Sequence, residues 1–558
     1  MIITEHATWA ALGALAHESR EIEITEACHA LTLASPTGLG MAPRPSAVNA
    51  AVGGERNGYD SVKLTRARAR RHSPAMSASL PVPGPTSLPV LGPVAQLLRF
   101  VLDPIAHVGR LFEKYGPIAQ LVVGSPTRIV STQPNVPGTV FLYGPEYNRA
   151  LLTNHADYHK CALSGPLWPE EPLSERTRPL TRMLTGLFHA NEGDHRLQRR
   201  LLMPAFHRSR IESYRDEMVA VTEAVLAEYR PGSTRDIRPD MTQVTLRIAT
   251  STLFGADLGE LGLQIGRDIE GWGATMRAAN IVPFDLPLSP YRRWLDLSSS
   301  IDRRMLEVIR LKRENRGTGR DMLSMLIEAR DEGGAQLSED ELIGHAGVIF
   351  GAGHETSSNA LSWTLLMLAQ HPRVLADLCD ELSAKLHGDA PTFEQLSELP
   401  LLDYVVKESL RLFPPAPLNH RITARDSTLG EYRIPAGTEV LSSIYHTHRI
   451  AELYADPLRF RPERWQTIDP GPYGYNPFSA GPRMCIGATF AWFEIKIVLA
   501  LMLQRFRLEL VPNQRIDRYF GITLCPSPRV LMRVQRTDRA FARAAPVHGQ
   551  IHDMVQLN

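Results

Sequence analysis

The sequence predicts a mainly α protein with a small β-sheet region, and three observations carry that reading. Two long stretches without proline, Leu342 to Ala369 and Ala488 to Leu503, have the length and apolar content of buried helices. Helical patterning dominates from Phe206 almost to the end, whereas β-rich runs are short: Ile118 to Val123, Val140 to Tyr143, Thr438 to Ser442, Arg507 to Val511 and Val530 to Val534. Ser338-Glu-Asp-Glu341 is a capping box and starts the longer helix.

Composition bounds the function. At 558 residues the chain could hold three or four domains by length, yet a hydrophobic content of 43% also suits one large core. A formal charge of +1 provides no whole-chain basic field, so no nucleic-acid partner is expected. The five cysteines, Cys28, Cys161, Cys379, Cys485 and Cys525, form no C-x-x-C pair and no framework spacing. That usage fits a reducing compartment, the cytoplasm, and argues against structural zinc. No apolar stretch reads as a transmembrane helix.

Taken in order, residues 1–78 read as a poorly ordered leader that ends in the basic run Lys63 to Arg71, a solvated tail or a surface tether. Translation from Met76 would remove it. The folded domain is expected over 79–540, opening on the stiff segment Pro81-Val-Pro-Gly-Pro85, and 541–558 are expected to be a tail. The proline-broken apolar stretch Ile281 to Pro290 reads either as a lid over an apolar cavity or as a packed loop.

Four places carry candidate chemistry. Pro477 to Gly487 puts Cys485 in a glycine-bounded loop ahead of a helix, with Arg483 two residues earlier, a setting that favours thiolate. Gly481 and Gly487 allow a tight turn and close approach to a flat ligand. An isolated cysteine is as well read as an inert core residue. His195 and Arg199, four apart, share a helix face where two donors could clamp a carboxylate, or form an exposed basic helix. Gly351-Ala352-Gly353-His354-Glu355-Thr356 puts small residues mid-helix, at roughly 1 kcal/mol per glycine relative to alanine, as though something needs the space. Thr356 can bond back to the carbonyl of Ala352 and open the helix locally. Glu408 and Arg411, three apart, form at least a helical ion pair.

Phe478, Gly481, Arg483, Cys485 and Gly487, spaced Phe-x-x-Gly-x-Arg-x-Cys-x-Gly, resemble the haem-binding loop of the cytochrome P-450 family. Three further motifs in the family's order strengthen the resemblance. Ala352-Gly353-His354-Glu355-Thr356 is similar to its oxygen-activating segment. Glu408-x-x-Arg411, with Arg464 from Phe460-Arg-Pro-Glu-Arg464, is similar to its buried ion-pair brace. His195 to Arg199 is similar to its propionate-binding helix, with histidine where tryptophan is usual. The resemblance implies a haem-thiolate monooxygenase with the haem between the central helix and the cysteine-side helix. Cys485 would be the axial ligand of haem b. Glu355 and Thr356 would manage protons, and His195, Arg199, Arg421 and Arg483 would meet the propionates.

By the same resemblance O2 is the co-substrate. NAD(P)H acts indirectly through a separate ferredoxin and ferredoxin reductase. Leu187-Phe188, Ile281 to Leu288, Phe350, Ala416 to Leu418 and Ile522 to Leu524 are candidate lining for a lipophilic small molecule. The rival readings are a peroxide-driven or isomerising enzyme of the same fold, and a haem-based ligand sensor.

Overall fold

A computed structural model describes residues 80–87, 92–131, 136–160, 174–255, 258–281, 284–314, 320–334, 336–538 and 544–557. The expected leader, its basic run and Met76 lie outside the described residues.

Helices make most of the unit that runs Leu80–Asn558, and one of them organises it. Glu339–Gln370 is an unbroken 32-residue helix whose capping box is complete: Ser338 accepts from the Glu341 N–H, and Glu341 accepts from the Ser338 N–H. Its second half, from Ser357 to Leu368, is buried on all sides, which explains why that segment carries no charged residue. The Ile237–Phe254 helix packs along it, and the Ala488–Arg505 helix crosses it. Their apolar side chains merge in the main core with those of the Pro400–Leu412 helix.

The strands sit at the periphery in four small sheets. The largest has five strands, in the order Ile118–Gln120, Thr139–Leu142, Glu439–Ser443, Leu418–Thr423 and Tyr158–His159. Thr139–Leu142 runs parallel to Glu439–Ser443 and the other neighbours are antiparallel. Each expected strand falls within two residues of an observed one at its start, but Leu418–Thr423 has no counterpart in the sequence reading. The Pro-rich opening is strapped down: Leu80–Pro81 pairs with Tyr432–Arg433, and the Pro83 and Pro85 carbonyls accept from Gln120 and Val123.

Two expectations are corrected. The last residues are no loose tail. Val547–His548 pairs with Gln514–Arg515, and Ile551, Met554 and Val555 are buried in the main core, because their one-turn spacing makes an apolar helix face. Phe350 is no lining residue. It is fully buried against Phe254, and a Cβ on Gly266 would collide with its ring.

Candidate functional site

The cysteine loop is built by its backbone. Cys485 donates its N–H to the Phe478 carbonyl at 2.9 Å, and Met484 donates to the Gly481 carbonyl at 3.0 Å. Gly481 is at φ +72°, and any Cβ there would strike the carbonyl of Leu152. This glycine therefore makes the tight turn and leaves room for a neighbouring helix end. A Cβ on Gly487 would meet only Phe206, at an ordinary 3.7 Å.

Cys485 presents accessible surface although protein surrounds it deeply, so we read its exposure as facing an internal cleft and not the outer surface. Burial pushes its thiol up. The Gly487 N–H and the Arg199 guanidinium oppose that push without overcoming it. The positive potential comes from Arg199, not from Arg483, and burial wins in the protein alone. Metal coordination deprotonates a thiol outright, so a free thiolate is not required beforehand.

Arg199, on the Glu192–Leu202 helix, donates to the Met484 carbonyl at 2.8 Å and so pins the residue before Cys485. His195 is buried on the same helix and held down to about 4, first by burial and then by Arg483, Arg199, His155 and Arg421. Arg483 donates to the Ala190 carbonyl and, at 2.7 Å, to Asn191 Oδ1, while its buried Nε has no partner. Burial brings it down to about 10. Arg421 is buried in the five-stranded sheet and bonds only its neighbour's carbonyl, that of His420, at 2.8 Å. Burial, then Arg483, lowers it to about 9.

No carboxylate among the described residues pairs with Arg421 or Arg483. A buried guanidinium and a half-buried one that repel each other are costly unless an anion joins them.

The central helix carries an open stripe of its own. Ala352 and Glu355 are exposed and Gly351, Gly353 and Thr356 are half-exposed, although His354 and the following turns are buried. An open stripe in the middle of a core helix marks an internal cleft. A Cβ on Gly353 would meet nothing within 4 Å. Thr356 donates its hydroxyl to the Ala352 carbonyl at 2.7 Å, the expected bond, but the helix does not open around it. Glu355 Oε1 accepts from Thr523 at 2.5 Å, and Asn359 Nδ2 donates to Thr523 at 3.0 Å. Neither Thr523 nor Asn359 was marked by any motif.

Behind the loop, Glu408, Arg411 and Arg464 meet as a buried cluster. Arg411 grips both oxygens of Glu408 at 2.9 Å, and Arg464 donates to Oε1 at 3.0 Å. The Trp465 Nε1–H and the Arg461 backbone N–H complete the carboxylate's partners. Arg411 and Arg464 spend their remaining donors on carbonyls between residues 448 and 459, so the charges are fully hydrogen-bonded. Of the expected lining, Phe188 and Ile522 are exposed, as are Phe284, Leu286 and Leu288 of the interhelical loop, whereas Leu524 is core.

An accessible cysteine in a loop backed by a buried, fully hydrogen-bonded brace, cationic groups that no described carboxylate matches, and an open stripe on a long central helix are the features of this site. The comparisons name the class. The cytochrome P-450 family model matches residues 82–532, and the chain belongs to that family. It is 32% identical over 379 residues to cyclooctat-9-en-7-ol 5-monooxygenase of Streptomyces melanosporofaciens, covering 66% of this chain and 82% of that one. It is 28% identical over 460 residues to pentalenene oxygenase of Streptomyces avermitilis, covering 81% and 96%. The fold matches that of a retinoic acid-bound cyanobacterial member with a TM-score of 0.70 at 24% identity, over 82% of this chain and 100% of that one.

The protein is thus an oxidoreductase of the monooxygenase type, and its family implies haem held through a cysteine thiolate and the use of O2. The residues present fit that group. Arg421 and Arg483 are unmatched, the Arg483 Nε is orphaned, and the space beside Gly353 is open. Among the described residues no helix is long and apolar enough to cross a membrane.

Proposed function

We propose that this protein inserts one oxygen atom of O2 into a lipophilic small molecule of terpenoid type, by C–H hydroxylation or epoxidation. The observation that carries the reading is the Arg421–Arg483 pair, which no carboxylate among the described residues joins, together with Cys485, the only exposed thiol among the described cysteines. The terpenoid substrate class rests on the names of the two Streptomyces relatives and on the apolar, exposed Phe188 and Ile522.

Haem b bound through the Cys485 thiolate would supply the electron-rich iron that favours O–O cleavage. The chain's own residues do the rest. Cys485 is held by its N–H bond to Phe478 and by Arg199 at the preceding carbonyl. Arg421 and Arg483, with neutral His195 as a further donor, take the two carboxylates of the cofactor.

Thr356 has given its hydroxyl hydrogen to Ala352, so its oxygen is left to accept from water in the cleft. Glu355, the preceding residue, is the group that can take up and release a proton there. Phe478, Gly487, Ala352 and Gly353 flank the cofactor space, and Glu408, Arg411 and Arg464 keep the loop from moving.

Electrons come from a separate ferredoxin and its reductase, fed by NAD(P)H, and the scattered cysteines support a cytoplasmic setting. The test is turnover under 18O2 with a surrogate ferredoxin, reductase and NADPH on a panel of terpenes. One 18O per product molecule is expected. Equal turnover with peroxide alone would favour a peroxide-driven enzyme instead.

A further inference from the structure

Thr523 lies in the turn before the Leu524–Pro528 strand, far along the chain from the central helix, yet it is buried and bridges two of that helix's side chains. Asn359 Nδ2 donates to Thr523 Oγ1 at 3.0 Å, and Thr523 Oγ1 lies 2.5 Å from Glu355 Oε1. The polarity of this chain is fixed by its first member. An amide nitrogen only donates, so the threonine oxygen accepts from Asn359 and its single hydrogen is committed to Glu355. No proton can travel along it, because an amide does not give one up. The bridge instead holds the Glu355 carboxylate as an acceptor and aims it at the C-terminal strand.

We propose that Thr523 is a positioning residue for Glu355: its one hydrogen, committed by the Asn359 bond, holds the Glu355 side chain in a single direction on the cleft wall. The arrangement explains why an acid with an exposed side chain on the cleft wall has a fixed direction at all. Thr523 touches it directly, and near it lie Cys525 on the following strand and Arg238, whose Nη2 is 3.4 Å from the Cys525 sulfur. Asn359 orients the threonine from one helical turn further on.

The proposal rests on the monooxygenase reading, and its test separates the two. Holoenzymes carrying Thr523→Val, Thr523→Ser, Glu355→Gln and Thr523→Val with Glu355→Gln are prepared, and the reduced carbon monoxide spectrum is recorded first. A thiolate spectrum keeps the monooxygenase reading, whereas its absence from the unsubstituted protein overturns both.

Crystal structures then locate the Glu355 carboxylate. It should leave its place in Thr523→Val and keep it in Thr523→Ser. NADPH oxidation with O2 and surrogate redox partners, without organic substrate, is measured in H2O and D2O. Thr523→Val should change the solvent isotope effect or the rate by roughly threefold or more, Thr523→Ser should restore it, and the Glu355→Gln background should abolish the difference. A carboxylate that stays put in Thr523→Val overturns the proposal. So does a Thr523→Val effect that is absent, or equal in the two backgrounds.

Discussion

The backbone N–H of Asn476 donates to His448 Nε2 at 3.0 Å, one residue before the cysteine loop begins. The other ring nitrogen, Nδ1, meets the Arg411 carbonyl at 3.2 Å. An N–H only donates and a carbonyl only accepts, so the imidazole is the neutral Nδ1–H tautomer. The histidine joins the Glu408–Arg411–Arg464 brace to the chain that leads into Cys485. Replacing it by leucine strands the Asn476 N–H and the Arg411 carbonyl, at roughly 1–3 kcal/mol for each group left unpaired. Urea unfolding of His448→Leu should show that loss together with reduced haem content.

The same histidine sets a response to acid. Burial, then Arg411, holds it down to about 3, and His446, also buried, is likewise held near 3. A folded value below the unfolded 6.5 means that the unfolded chain binds the extra proton first. The contribution of these histidines is therefore complete above about pH 6.5 and is lost as pH falls from there toward 3. Because Glu494 acts the other way, the readout is a comparison: between pH 8 and pH 4 thermal melts of the unsubstituted protein should lose more stability on acidification than those of His448→Leu. Equal losses in the two proteins would contradict the assignment.

Glu494 predicts the opposite slope. It is buried on the Ala488–Arg505 helix with no partner for Oε2, and burial raises it from 4.5 to about 8. Ser357 lies beside it and slightly favours the ionised form, but the two make no hydrogen bond of good geometry. The folded protein keeps the proton that the unfolded chain gives up, so stability falls as pH rises from about 4.5 to 8. Its full size is roughly 5 kcal/mol. Glu494→Gln should be more stable than the unsubstituted protein at pH 8 and nearly equal to it at pH 5, as read by urea midpoints.

Glu408→Ala leaves two buried arginines beside each other without their carboxylate, and about 3–5 kcal/mol should be lost. The variant should give little haem-loaded protein. A stable, fully loaded Glu408→Ala variant would show that the cluster does not brace the loop.

Thr356→Ala removes the hydroxyl that bonds Ala352 and faces the cleft. Haem and substrate binding should persist, while electrons from NADPH are diverted to peroxide or water. The ratio of product to NADPH consumed measures this, and undiminished coupling would deny Thr356 its role.

Features whose physics is local were readable before the structure. The Ser338 capping box, the helices beginning near Leu342 and Ala488, and the Thr356 bond to Ala352 all follow from neighbours within one turn. The brace was readable only through resemblance, because Arg464 joins Glu408 from more than fifty positions away.

Contacts of that range without a motif stayed hidden. Thr523 reaches Glu355 from 168 positions away, and His448 reaches Arg411 from 37. A polar residue inside an otherwise buried segment is the one signal either left, and it names no partner. The turn at Gly481 is legible in sequence, but the carbonyl that also needs its missing Cβ belongs to Leu152, more than three hundred positions away. The last helix was missed because its apolar face of Ile551, Met554 and Val555 is a single turn long.

The account turns on Cys485 as the thiolate that holds the cofactor. The most direct measurement is the absorbance spectrum of the dithionite-reduced carbon monoxide complex of the purified holoprotein and of Cys485→Ala and Cys485→His. The unsubstituted protein should show the thiolate-type band, and both variants should lack it. An unchanged band in either variant would mean that another residue ligates the iron.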